Sequence, residues 1–356
     1  MPATPAPPVR GGPREVAPPP ALDRCRALVE PALREAVAEL HPWPRHMASF
    51  AFGWCDADGR PGSAHGGKGV RQALAVLGAE AAGAPGETAV PGAVAVELVH
   101  TFSLVHDDIM DDDERRRHRD SAWKAFGTGP AVLAGDALFA LAVRTLARAG
   151  GEHGGAAVAL LAEALSELVH GQADDLLFES RPWTGPGAVG LTAYRDMALR
   201  KTGSLLGCAA ALGPVLAGAS PAVVTALAEA GRRLGSAFQA VDDLLGIWGD
   251  PTATGKPVHG DLRRGKKTLP LLAAVTSGTA AGRELAGLLG SGAPLDAGTA
   301  RHAALLTEEA GGREYTLAEA RRHVAAAHTS LHAVRLAPHA ASELVTLAEY
   351  LVERHL

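Results

Sequence analysis

From Ala21 to the C-terminus, apolar residues recur at helical spacing in segment after segment, separated by breaks rich in Gly and Pro. This pattern predicts helices over Ala21–Leu40, Val90–Met110, Pro130–Arg148, Ala156–Glu179, Thr192–Leu212, Pro221–Ile247, Lys267–Val275, Leu317–His332 and Ala341–Leu356. Loops are expected over Asp56–Gly67, Ser180–Gly190 and Gly249–Gly260. No run of alternating polarity reads as a sheet, and no short-period repeat is present. Ala, Leu, Gly, Arg and Glu dominate, while aromatic residues make up only 4%, which favours helix over strand. The expectation is an all-α protein, a single-domain helical bundle over 21–356 with its sites facing inward. The Pro-rich residues 1–20 are expected to be a disordered N-terminal segment.

Charge and cysteine usage exclude several function classes. Net charge is −5 with a pI near 6.3, so there is no basic excess and nucleic acid is not an expected partner. Cys25, Cys55 and Cys208 form no CxxC pair or disulfide framework, which fits a reducing cytoplasm. The N-terminus has no apolar signal-peptide region. Thr202–Leu227 is uncharged, but Gly213-Pro214, Gly218 and Ser220-Pro221 interrupt it. Two buried helices with a turn are expected there rather than a transmembrane segment.

Chemistry concentrates first at 107–114, DDIMDDDE, with six carboxylates in eight positions. Asp107 and Asp111 are four apart, so they share a helix face, with Asp108 beside them. Like charges at that spacing repel, and a cation relieves the repulsion; Mg²⁺ favours one or two carboxylates together with waters and phosphates. The EF-hand calcium pattern fails, because Asp112 stands where Gly is required and His118 where Glu is. A basic run, Arg115 to Arg119, follows immediately. It could compensate the acids as salt bridges, or grip phosphate through the planar guanidinium fork.

A second apolar helix carries Phe238-Gln239-Ala240-Val241-Asp242-Asp243, and paired aspartates are costly to bury there without a cation or partner. Of 34 basic residues only six are lysines. Lys68, Lys201, Lys256 and the Lys266-Lys267 pair sit beside Gly or a hydroxyl residue, as suits close approach to phosphate. Gly66-Gly67-Lys68 is not a P-loop, because the full motif is absent.

In combination, DDIMD with its Arg pair, FQAVDD, KTG, GGKxxR and GKKTLP in this order resemble the trans-isoprenyl diphosphate synthase (polyprenyl synthetase) family. The wording LVHDDIMDDDERRRHRDSAWKAFG and DDLLGIWGDPTATGKP is most similar to bacterial geranylgeranyl diphosphate synthases. The resemblance implies an isoprenoid-synthase bundle around a central cavity. It implies a homodimeric prenyltransferase that condenses isopentenyl diphosphate with an allylic diphosphate (dimethylallyl, geranyl or farnesyl), using three Mg²⁺ ions per site. Asp107, Asp108, Asp111 and Asp242 would hold metal. Lys201, Lys256 and Arg116 would contact the allylic diphosphate, and Lys68, Arg71, His100 and Arg117 that of isopentenyl diphosphate. Thr202 and Gln239 would face the allylic cation, and Lys266 would close over the site. Phe102 and Ser103, one turn before Asp107, would set product length; an aromatic beside a small residue resembles enzymes of the twenty-carbon product, geranylgeranyl diphosphate.

Three positions depart from the family pattern. Gly246 replaces the third aspartate of the second motif, Gln72 replaces the Pro after GGKxxR, and His118 replaces the Gly of RRGxP. Alternatives are a farnesyl or longer-chain synthase, a class I terpene cyclase and a non-catalytic partner subunit. A cyclase would show an Asn/Asp–Ser/Thr–Glu triad and lack the isopentenyl diphosphate site, yet the chain has no asparagine and retains Lys68, Arg71 and His100. A partner subunit would have lost an aspartate pair, and both are present.

Overall fold

The long helices follow the predicted periodicity over most of the chain. The computed structural model describes residues 17–62, 67, 69–116, 118–149, 151–251 and 258–353. The first helices are α1 (Pro20–Ala38), α2 (Pro42–Ala51), α3 (Val70–Ala81) and α4 (Val90–Met110). A two-residue hairpin follows, β1 (Arg115–Arg116) with β2 (Arg119–Asp120), paired antiparallel with Arg116 opposite Arg119. Then come α5 (Ala122–Phe126), α6 (Thr128–Ala149), α7 (Gly154–Glu179), α8 (Leu191–Ala198), α9 (Ser204–Leu216) and α10 (Pro221–Trp248). The chain continues with α11 (Gly260–Arg263), α12 (Leu269–Val275), α13 (Ala280–Gly290), α14 (Ala297–Glu309), α15 (Gly312–His332) and α16 (Pro338–Glu353).

The uncharged stretch from Thr202 divides as expected into α9 and α10, with a turn at 217–220. Helix α9 lies at the centre, packed by α3, α4, α7 and α10. Every residue from Ser204 to Pro214 is buried, which is why this segment shows no polar face. Leu205, Leu206 and Leu212 are at most 2% exposed, and each contributes about 1.5–3 kcal/mol by leaving water. Helices 86–110 and 128–149 are long and apolar enough to cross a membrane by length and composition alone. Much of the first lies in the core, with Ala93, Val94, Ala95, Val96, Leu98 and Val99 buried.

Six helices escaped the periodicity reading: α2, α3, α5, α11, α13 and α14. Ten of the 12 residues of α3 are buried, so no amphipathic stripe marks it. Between α8 and α9 the predicted continuous helix 192–212 opens into a π-helical turn, Leu199–Gly203. Such wide turns inside helices are frequent at functional sites.

Candidate active site

Helices α4 and α10 bring their acidic ends to opposite walls of a cavity of about 990 Å³, large for a ligand site. Its lining includes Asp107 and Asp111 on one side and Asp242 on the other. The sequence-predicted Arg71, His100, Ser103, Arg116, Lys201, Thr202, Gln239 and Lys266 line the same space. Lys68, Arg117 and Lys256 lie outside the described residues.

Paired aspartates separate in role once the helices are packed. Asp107 lines the cavity, and burial pushes its carboxyl above the usual range, with Lys201 and Arg116 pulling it back and Asp111 adding to the rise. Asp108, expected as a third metal-binding carboxylate, meets an arginine in this structure. It is 3% exposed and accepts hydrogen bonds on both oxygens from Arg116, whose Nε lies 2.8 and 2.9 Å away and Nη2 2.5 Å. This pairing fixes the guanidinium at the cavity rim. The hairpin holds Arg116 from the other side: Arg119 donates to the Cys55 carbonyl at 2.7 Å and lies 4.5 Å over the Phe50 ring. His118, where the family pattern has Gly, adopts φ +64°, a left-handed conformation that costs roughly 1–2 kcal/mol in a residue with a Cβ.

On α10, Asp242 is exposed to the cavity while Asp243 is 3% exposed. Burial raises the Asp243 carboxyl to about 7, opposed by hydrogen bonds from Tyr194, Leu269 and Gln239. Tyr194 Oη and the Leu269 backbone N–H both donate to it, and Gln239 Nε2 donates at 3.0 Å. Gln239 then accepts from Thr202 Oγ1 at 2.7 Å. Because Thr202 gives its only O–H proton to Gln239, its oxygen lone pairs remain available to the cavity.

The π turn places Lys201 beside Thr202, and α7 approaches it at Gly171. A Cβ there would collide with the Lys201 backbone. Lys201 Nζ is 2.5 Å from Asp175, and Lys266 Nζ is 3.7 Å from Asp175 and 3.5 Å from Asp111. Burial works against the Lys266 ammonium, but Asp175, Asp111 and Asp261 outweigh it and raise its pKa. Asp175, missed in the sequence reading, thus gathers two lysines beside the metal-type aspartates. Its signal was present as a third aspartate pair, Asp174-Asp175, on an apolar helix. Lys267 points elsewhere, donating to the Glu179 carbonyl at 3.1 Å and lying 4.6 Å from the Trp183 ring centroid.

Two further positions gain structural detail. Phe102 was expected to set product length together with Ser103. It packs on the α6 side of α4, 4.8 Å from the His106 ring and 5.7 Å from Phe139 between centroids, while Ser103 faces the cavity. Gln72, where the family pattern has Pro, uses its backbone N–H to donate to Glu97 Oε1 at 3.3 Å, a bond proline cannot make.

Divalent metal fits this donor set. Among the described residues no three His, Cys, Asp or Glu side chains converge as a preformed cage. Carboxylates on two walls with cations between them suit ions completed by a ligand's phosphates, as Mg²⁺ prefers.

With this geometry established, comparison with known proteins places the chain. The sequence profile of the polyprenyl synthetase family matches residues 61–303. A (2E,6E)-farnesyl diphosphate synthase of Mycobacterium tuberculosis is 46% identical over 339 residues, covering 94% of this chain and 93% of the relative. A geranylgeranyl diphosphate synthase of the same organism is 42% identical over 292 residues, 82% of each chain. The crystal structure of a polyprenyl synthetase from Streptomyces coelicolor A3(2) superposes with TM-score 0.88 at 46% identity, covering 93% and 98% of the two chains. A geranylgeranyl pyrophosphate synthase from Corynebacterium glutamicum, complexed with calcium and isoprenyl diphosphate, gives TM-score 0.75 at 31% identity over 94% and 96%. The chain belongs to the polyprenyl synthetase family and is a prenyltransferase that elongates prenyl chains.

Proposed function

We propose that the enzyme condenses isopentenyl diphosphate with an allylic diphosphate and releases geranylgeranyl diphosphate. The observation that carries the condensation is that Asp107, Asp111, Asp242, Lys201, Lys266 and Arg116 line one cavity. Three Mg²⁺ ions, when bound, would neutralise the allylic diphosphate and make it a leaving group. Asp107 and Asp111 would hold metal on one wall and Asp242 on the other. Lys201, Lys266 and the Arg116 fork, with Lys256 beyond the described residues, bind the same diphosphate. Arg71 and His100, with Lys68 and Arg117, bind isopentenyl diphosphate at the adjoining end. As the allylic C–O bond breaks, the oxygens of Thr202 and Gln239 face the positive charge that develops. The isopentenyl double bond attacks that carbon, and the departing diphosphate takes the proton lost from the adduct. No protein nucleophile is needed.

The twenty-carbon product rests on the aromatic Phe102 beside the small Ser103. Ser103 stands one turn before Asp107 on the cavity wall, where a small side chain leaves the path open. Farnesyl diphosphate is a second reading, favoured by the 46% identity to the mycobacterial farnesyl diphosphate synthase. Purified enzyme with Mg²⁺, labelled isopentenyl diphosphate and dimethylallyl diphosphate is expected to yield chiefly the twenty-carbon diphosphate, and Ser103→Phe a shorter one. A fifteen-carbon endpoint from the unaltered enzyme decides for the second reading. Failure to consume isopentenyl diphosphate overturns the condensation itself.

The proposal includes a homodimer in a reducing cytoplasm. Val132, Leu133 and Phe139 of α6 and Val169 and Leu177 of α7 are exposed apolar side chains on neighbouring helices, a patch suited to a second copy. All three cysteines are free and buried. Light scattering is expected to report two 36.5-kDa chains per particle and Phe139→Asp to shift the mass toward one chain. A monomeric unaltered enzyme at micromolar concentration excludes the dimer.

A further inference from the structure

Helix α10 has a gap in its acidic face. Asp242 is exposed to the cavity, and the position one turn further on, which would share its face, is Gly246. A side chain at 246 has no room. A Cβ built there would fall almost on top of the Asp261 carboxylate, far inside van der Waals contact. The space beside α10 below Asp242 is thus already filled by a carboxylate, delivered from α11. Asp242, Gly246 and Asp261 all line the cavity.

That delivery is anchored on both sides. His259, immediately before α11, has φ +59°, and its Nδ1 lies 2.7 Å from the Ile247 carbonyl of α10. Leu262, fully buried, packs in one apolar cluster with Ile247. These contacts flank Asp261 and hold α11 against α10. The Asp261 carbonyl accepts from the Lys266 backbone N–H at 2.9 Å, so the carboxylate and the Lys266 ammonium belong to one closed turn. Arg264 Nη2 stands 3.7 Å from Asp261 Oδ1, and the same guanidinium holds Asp113 of the opposite acidic run at 2.5 Å.

We infer that Asp261 is the second carboxylate of the Asp242 metal site, taking the place that Gly246 leaves empty on the helix. The inference rests on the metal-dependent reading proposed above and adds a residue to it. A helix-borne aspartate binds metal independently of the loop that follows. Here the ligand is carried by the turn that also positions Lys266, so metal loading on this wall and placement of that lysine are coupled.

The test counts metal directly. Mn²⁺ binding is followed by electron paramagnetic resonance on the full-length enzyme with saturating geranyl thiolodiphosphate, an unreactive allylic analogue. Asp242→Asn serves as the control for the wall. Asp261→Asn is expected to weaken one Mn²⁺ by about 10–100-fold, the range in which metal sites respond to loss of a supporting group. The double variant Asp261→Ala/Gly246→Asp returns the carboxylate to the helix and is expected to recover most of that affinity. Its recovery also separates metal binding from a folding defect in the single variant. Undiminished Mn²⁺ affinity in Asp261→Asn, with loss in Asp242→Asn, overturns the role of Asp261. Undiminished affinity in both overturns the metal reading of this wall.

Discussion

Asp107→Asn is expected to lower kcat by about 10²–10³-fold, the scale on which removing one preorganised stabilising group from a reacting charge is felt. Asp107 lines the cavity, and burial already opposes its ionisation. A carboxylate kept in that setting needs a cation, and the amide cannot supply the charge. The variant is therefore also expected to need more Mg²⁺ for half-maximal rate. Steady-state incorporation of labelled isopentenyl diphosphate across a Mg²⁺ series measures both effects. A rate within fivefold of the unaltered enzyme, with the same Mg²⁺ dependence, removes Asp107 from the metal site.

Its neighbour should behave differently. Asp108→Ala is expected to lower the unfolding free energy by about 3 kcal/mol, at the low end for breaking a buried pair. Asp108 is 3% exposed, but the Arg116 side chain is 31% exposed and keeps some access to solvent. The loss is read by urea denaturation. Since Asp108 acts on Arg116, the Mg²⁺ concentration for half-maximal rate should stay unchanged while KM for the allylic diphosphate rises. Unchanged stability together with a raised Mg²⁺ requirement would restore Asp108 as a metal ligand.

Most of the long helices were legible in the sequence. The 90–110 helix was predicted and found with the same limits, because its charged end and apolar body are both local signals. The reading failed at α3, which is buried nearly all round and shows no amphipathic stripe. The π turn at 199–203 was equally silent. That turn is closely approached by α7 at Gly171 and by α10 at Gly235, and neither neighbour lies nearby in sequence.

The same division runs through the active site. Spacing alone put Asp107 and Asp111 on one face, since four residues along a helix make little more than one turn. Motif order likewise marked Lys201, Thr202, Gln239 and Asp242 before any coordinates. Spacing alone could not say which member of each aspartate pair meets the cavity, because adjacent residues on a helix point about 100° apart and only packing sets the rotation. Tertiary structure turned Asp108 to Arg116 and Asp243 to Tyr194 and Leu269. It also brought Asp175 to the lysines and Asp261 to the blank at Gly246. Local spacing determined the chemistry offered by each helix, and long-range packing decided which of those groups share a cavity.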